Sequence, residues 1–148
     1  MSAIKIWMYC WLCFQINSSC KHSVQNINTE KVKPIRPEID VIVNQIPNYK
    51  TVDAGGVGIA GVKTEQYERF EKLIKYANVE ELIKLTDHES PAVRAYSFWA
   101  LSKKHFTALQ LVLKRHVNDT STFRFFSGCI YSIEKINNFY AAIKKDKR

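Results

Sequence analysis

The chain is short of the residue patterns that mark catalytic and metal sites. Its four histidines, His22, His88, His105 and His116, hold no metal-ligand spacing with any carboxylate. No serine lies in the glycine-flanked pattern of a nucleophile elbow. Cysteine is scarce, four in 148 residues. The one C-x-x-C, Cys10-Trp11-Leu12-Cys13, has no second pair after it and no βαβ surroundings, so it does not read as a zinc or redox pair. The longest apolar run, Ile6 to Phe14, is nine residues, well under the roughly twenty that a helix needs to span a bilayer core. No catalytic, cofactor-binding or metal-binding residue, and no small-molecule ligand, is therefore expected.

What remains is the composition of a globular protein, with 46% hydrophobic and 24% charged residues. The formal net charge is +8, which brings nucleic acid and anionic membranes to mind. Most of the excess is spread over prospective helix faces. The densest cluster, Lys144-Lys145-Asp146-Lys147-Arg148, reads as a solvated last helical turn favoured by the helix dipole. Nucleic acid is not the expected partner.

Residues 1–20 differ from the rest. Lys5, the apolar run and the small polar residues after it have the parts of a secretory signal. Ser18-Ser19-Cys20 resembles the end of a bacterial lipobox, whose cysteine becomes the lipidated mature N-terminus; Asn17 departs from the aliphatic residue usual three positions before it. The resemblance implies lipidation at Cys20, a membrane partner reached through the lipid, and a place on the periplasmic side of the cell envelope. The alternative is a cytoplasmic protein with an apolar N-terminal segment. With Cys20 acylated, Cys129 is left without a partner and is expected to be a small buried apolar position.

Residues 21–62 read as a linker carrying Pro34, Pro37 and Pro47, with Ile39, Val41 and Val43 alternating as in a short extended segment. An ordered edge packed on the helices is the rival reading. Gly56, Gly58 and Gly61 spell G-x-G-x-x-G, a dinucleotide fingerprint only where a strand enters and a helix leaves within a βαβ unit. Asn48 to Ala54 does not read as a buried strand, and every strong pattern beyond is helical. The glycines are expected to form a flexible hinge.

From residue 63 onward the periodicity is helical. Thr64 caps a stripe of Tyr67, Phe70, Ile74 and Ala77. Asn78 and Glu81 form a capping box for a second helix carrying Leu82, Ile83 and Leu85, which accounts for the adjacent Glu80 and Glu81 without catalysis. Ser90 and Pro91 open a third helix with Val93, Tyr96, Trp99 and Ala100 inward. A fourth runs from about His105 with Phe106, Leu109, Val112 and Leu113. A fifth starts near Ser132 with Ile133, Ile136, Tyr140 and Ile143. Thr122 to Tyr131, aromatic and interrupted by Gly128, fits either a helix or an extended connection.

The run Leu82-x-x-Leu85-x-Asp87, then Val93-Arg94 and Ala100-Leu101, is similar to the HEAT-repeat pattern over residues of about 65–104. The resemblance implies an all-α fold, a short array of about four to five helices in HEAT-like hairpins. Asp87 and Arg94 would then fix the repeat turn, and Val93, Tyr96 and Trp99 would form its core. It also implies a non-enzymatic surface for an unknown protein partner. Two alternatives stand beside it: a structural envelope lipoprotein without a discrete ligand, and a cytoplasmic basic helical-repeat protein that binds nucleic acid.

Overall fold

The computed structural model describes residues 33–146, without the side chains of the last three. The signal-like segment, Cys20 and the first part of the expected linker lie outside the described residues. The body that begins at Ile35 is built around α4 (Pro91–Lys103), which has small or apolar residues on nearly every side. Val93, Tyr96, Phe98 and Leu101 are fully buried, and Ala92, Ala95 and Ala100 let neighbouring backbones come close. A helix apolar all round needs packing on several faces, and here α2, α3, α6 and the sheet supply it. Buried Ser97 does not leave its hydroxyl orphaned, because Oγ donates to the Val93 carbonyl at 2.7 Å.

Helix α2 (Glu65–Tyr76) starts where Thr64 Oγ1 accepts from the Tyr67 N–H, and it buries Phe70 and Leu73. Helix α3 (Val79–Leu85) opens with a complete Asn78–Glu81 capping box. Proline at the first position begins α4, but the Ser90 side chain makes no cap; its N–H instead donates to His88 Nδ1. Helix α5 (Leu109–Arg115) is shorter than the periodicity predicts. His105, with φ of 54°, breaks the chain into the left-handed region just after α4.

The all-α expectation is overturned: the fold is mixed α/β. Strands β1 (Thr51–Val57), β2 (Thr122–Gly128) and β3 (Ile130–Lys135) form one sheet in that order. β1 runs parallel to β2, and β2 antiparallel to β3. Two local causes make β2 and β3 strands. Phe123 and Phe125 alternate toward the core, and Gly128 (φ 55°) with Cys129 joins paired Ser127 and Ile130 in a two-residue turn. Cys129 is therefore exposed at a turn tip and is not buried. Ile133 belongs to a strand, and the last helix, α6 (Ile136–Asp146), starts after it.

The expected linker is also ordered where it is described. Pro37 opens helix α1 (Pro37–Gln45), which buries Ile39 and Val43 four residues apart while Val41 faces out. Alternation of the three suits an extended segment, but helical spacing buries the first and last of them. Val52 in β1 is fully buried, and Tyr96 Oη both accepts from the Asp53 N–H (2.7 Å) and lies 3.2 Å from the Asp53 carbonyl, to which it donates. The glycines form no loose hinge. Val57 and Val62 exchange two backbone hydrogen bonds of 3.0 and 2.9 Å, closing a tight turn through Gly58 and Gly61, both at positive φ.

Candidate binding groove

One groove of about 730 Å³ opens between α4, α6 and the inner side of β2 and β3. Its apolar floor is aromatic: Trp99 from α4, Phe125 from β2 and Phe139 from α6, with Ile143 beside them. Lys103, His105 and Glu134 form the polar rim, and buried Ser102 also lines the groove. The aromatics hold one another. The Trp99 ring stacks on buried Phe70 at 4.6 Å and meets the Phe139 edge at 6.1 Å. Phe139 in turn meets Phe123 and Phe125 at 5.0 and 5.6 Å. Such packing fixes the floor from beneath and leaves its upper side open. At the rim, Ser132 Oγ donates to Glu134 Oε1 at 2.8 Å, while Lys103 and His105 have no side-chain partner among the described residues and are exposed.

The three residues expected in the repeat core divide between two environments. Val93 and Tyr96 are fully buried, and burial pushes the Tyr96 phenol up. Trp99 is only partly buried, packed on the core at one side and lining the groove at the other. Asp87 and Arg94 do not meet. Arg94 Nη1 donates to the His88 and Glu89 carbonyls at 2.7 and 3.0 Å, and its Nε lies 3.1 Å from Asp119 Oδ2. That last contact is an ion pair off the hydrogen-bond line. Asp87 pairs with Arg115 (3.0 Å) and faces His116 Nε2 (3.3 Å). Burial lowers the His116 pKa; Asp87 and Asp119 pull it upward, and Arg115 and Arg94 downward. The cluster ties the α3–α4 turn to the end of α5 and to the segment before β2, so its charges are explained as a structural tie.

Sequence reasoning missed Arg36, which stands in the expected linker. Its Nε and Nη2 donate to the two oxygens of Glu81 at 2.8 and 3.0 Å, and Nη2 also reaches the Tyr76 carbonyl. That fork holds the Glu81 carboxyl down at about 2, against the opposing effect of burial, with further help from the Asn78 and Arg36 N–H groups. Only the C-terminal end of this clamp, the capping box, carried a sequence signal.

The glycine motif begins inside β1 at Gly56, with α2 after it and β2 as a parallel neighbour, but its electrostatics differ from a phosphate loop. Thr64 Oγ1, at the start of α2, donates to Asp53 Oδ2 at 2.8 Å, so a carboxylate already occupies the end where a phosphate would sit. Among the described residues, no three His, Cys, Asp or Glu side chains are grouped to hold a metal ion. No described helix is long and apolar enough to cross a membrane. No family model, curated protein or solved structure matches the chain.

Proposed function

We propose that this protein is a non-enzymatic interaction module of the cell envelope, held at the membrane by a lipidated Cys20. The module takes an extended segment of a partner protein along β3 and seats one of its large apolar side chains in the Trp99 groove. The observation that carries this reading is the groove's position beside a sheet edge. β3 is the last strand of its sheet, and among the described residues its far side has no strand partner. Phe125 and Glu134, on the inner side of β2 and β3, line the adjoining groove. A strand added at that edge gains main-chain hydrogen bonds and presents alternate side chains to the groove, the pattern of β-strand addition. The groove's volume and its apolar floor with a polar rim suit a buried anchor residue. Unpaired Lys103 at the rim favours acidic residues flanking that anchor.

The test is selection of random extended peptides against the full chain. Enriched peptides should carry a large apolar residue flanked by Asp or Glu. The backbone amides of β3 should shift in NMR spectra on binding, and Ala142→Arg, at the exposed groove rim, should weaken binding at least about tenfold. Peptides that bind with β3 unperturbed, or equally well to the Ala142→Arg variant, would refute the groove. No enrichment at all would leave the structural-lipoprotein reading as the better one. Separately, Cys20→Ser should release the protein from the membrane fraction or leave its precursor uncleaved.

A further inference from the structure

We infer that the outer face of the sheet, together with the adjoining Gly58–Gly61 turn, docks on the surface of an anionic lipid bilayer. Strand register puts Arg124 opposite Ile133, Phe126 opposite Tyr131 and Thr122 opposite Lys135. These pairs share the face turned away from buried Phe123 and groove-lining Phe125. Tyr131 and Ile133 are exposed, Ile133 to 68%. The β1–α2 turn adjoins the hairpin tip, because the Gly58 N–H donates to the Gly128 carbonyl at 2.7 Å. That brings the turn, with Ile59 fully exposed at 100% and Val62 exposed, to the hairpin tip at Gly128 and exposed Cys129. Among the other exposed large apolar residues, Val41, Tyr76 and Leu111 stand on three separate helices, and Tyr49 and Val117 lie outside the α-helices.

Charge decides which occupant fits. Arg124 and Lys135 are exposed and have no carboxylate partner among the described residues. Glu134 lies on the opposite face, at the groove, and the Asp53 carboxylate in β1 is buried against Thr64. The face is therefore apolar and cationic, within a chain of net charge +8. A lone isoleucine on a projecting turn has no concave surround to meet a complementary protein surface. It suits a fluid layer that closes around it, while arginine and lysine reach the headgroups and tyrosine lies at the interface. The turn is also rigid for its size, being closed by the paired Val57–Val62 hydrogen bonds, so little freedom is lost when it inserts. This surface is distinct from the groove, on the other side of the sheet, and the inference does not rest on lipidation of Cys20.

The test uses the full chain with Cys10, Cys13 and Cys20 replaced by serine, so that Cys129 alone carries an environment-sensitive fluorophore. Vesicles contain quencher-bearing lipid in phosphatidylcholine alone, or in equal parts phosphatidylcholine and phosphatidylglycerol. The label at Cys129 should be quenched on the phosphatidylglycerol vesicles and little on the neutral ones, with the effect falling as salt rises. Co-sedimentation of the unlabelled chain should weaken by about tenfold or more with Arg124→Glu combined with Lys135→Glu, and likewise with Ile59→Asp. Leu111→Asp, exposed on α5, should change nothing, and circular dichroism should show all variants folded. A label that stays unquenched while the N-terminal apolar run holds the chain on vesicles would overturn the inference. So would equal quenching on neutral vesicles, or an equal loss with Leu111→Asp. Binding of a single-stranded oligonucleotide that is lost with Arg124→Glu, without vesicle contact, would assign the face to nucleic acid instead.

Discussion

Helix α4 and strand β3 both border the Trp99 groove, yet they are buried in opposite degrees. Along α4, every residue from Ala95 to Phe98 is buried. Along β3, no residue is, and Ile130, Tyr131 and Ile133 face solvent. The helix is contacted by other helices and by the sheet; the strand is paired on one edge only among the described residues. Burial around α4 therefore supplies stability, and the sheet's open edge and outer face are free to be used as surfaces. Trp99 belongs to both regions, with one ring face stacked on Phe70 and the rest in the groove.

The sharpest way to break this comparison is to truncate residues on either side of the Trp99–Phe70 stack. Phe70 is fully buried against Tyr96 and Trp99, so Phe70→Ala should destabilise the full chain by about 3–5 kcal/mol. Trp99→Ala removes a larger ring that is already partly solvated, and should cost less, about 1–3 kcal/mol. Urea unfolding measures both. If Trp99→Ala were the more damaging change, Trp99 would be core like Phe70, and the groove floor would be part of the interior.

The boundary between these regions also separates what was legible in the sequence from what was not. The start of α2 at Thr64, the Asn78–Glu81 capping box and Pro91 at the head of α4 are set by neighbours within three or four residues, and a local pattern can reveal them. The sheet depends on partners far apart in the chain. Thr51 pairs with Arg124 and Asp53 with Phe126, so β1 has no reason to be a strand until β2 lies beside it. Val52 and Asp53 are both buried, one by packing and the other by its bonds to Tyr96 and Thr64, which erases any alternation in β1. In β2, Phe126 on the open face interrupts the pattern of Phe123 and Phe125. The groove was equally hidden, since its walls come from α4, β2, β3 and α6; Trp99, His105 and Ile143 carry a reading in the sequence, but each for a different role.

Acid titration sharpens the comparison at the ties that hold the helices. Glu81 is held at about 2 against an ordinary 4.5, so its contribution is present above pH 4.5 and is lost as pH falls toward 2. The full shift corresponds to about 3 kcal/mol; because the Arg36 side chain is 46% exposed, solvent screening reduces this to about 1–2 kcal/mol. His88 and His116 are lowered from 6.5, chiefly by burial. Their neutral forms favour the fold, so stability begins to fall as pH drops below about 6.5. Stability measured against pH should therefore decline in two windows. Glu81→Gln should flatten the lower one and His116→Gln part of the upper one. A single decline confined to the region below pH 4.5 would show that the histidines contribute nothing.

The smallest expected effect is on the open face, and it tests whether that face is free. Ile133 sits opposite Arg124 on the outer side of β3 and is 68% exposed. Threonine keeps the β-branch that favours an extended backbone and removes most of the apolar surface. If nothing within the chain covers this face, Ile133→Thr should change unfolding free energy by no more than about 0.5 kcal/mol. A loss of about 1 kcal/mol or more would mean that Ile133 is covered in this chain, and that the face is occupied by the chain itself. Comparing the unfolding of the full chain with that of residues 33–148 would then locate the cover. A loss seen only in the full chain assigns it to the first 32 residues, and the docking surface would have to move to the Ile59 turn alone. A change within about 0.5 kcal/mol in both leaves the outer face open, as far from the buried environment of α4 as this fold provides.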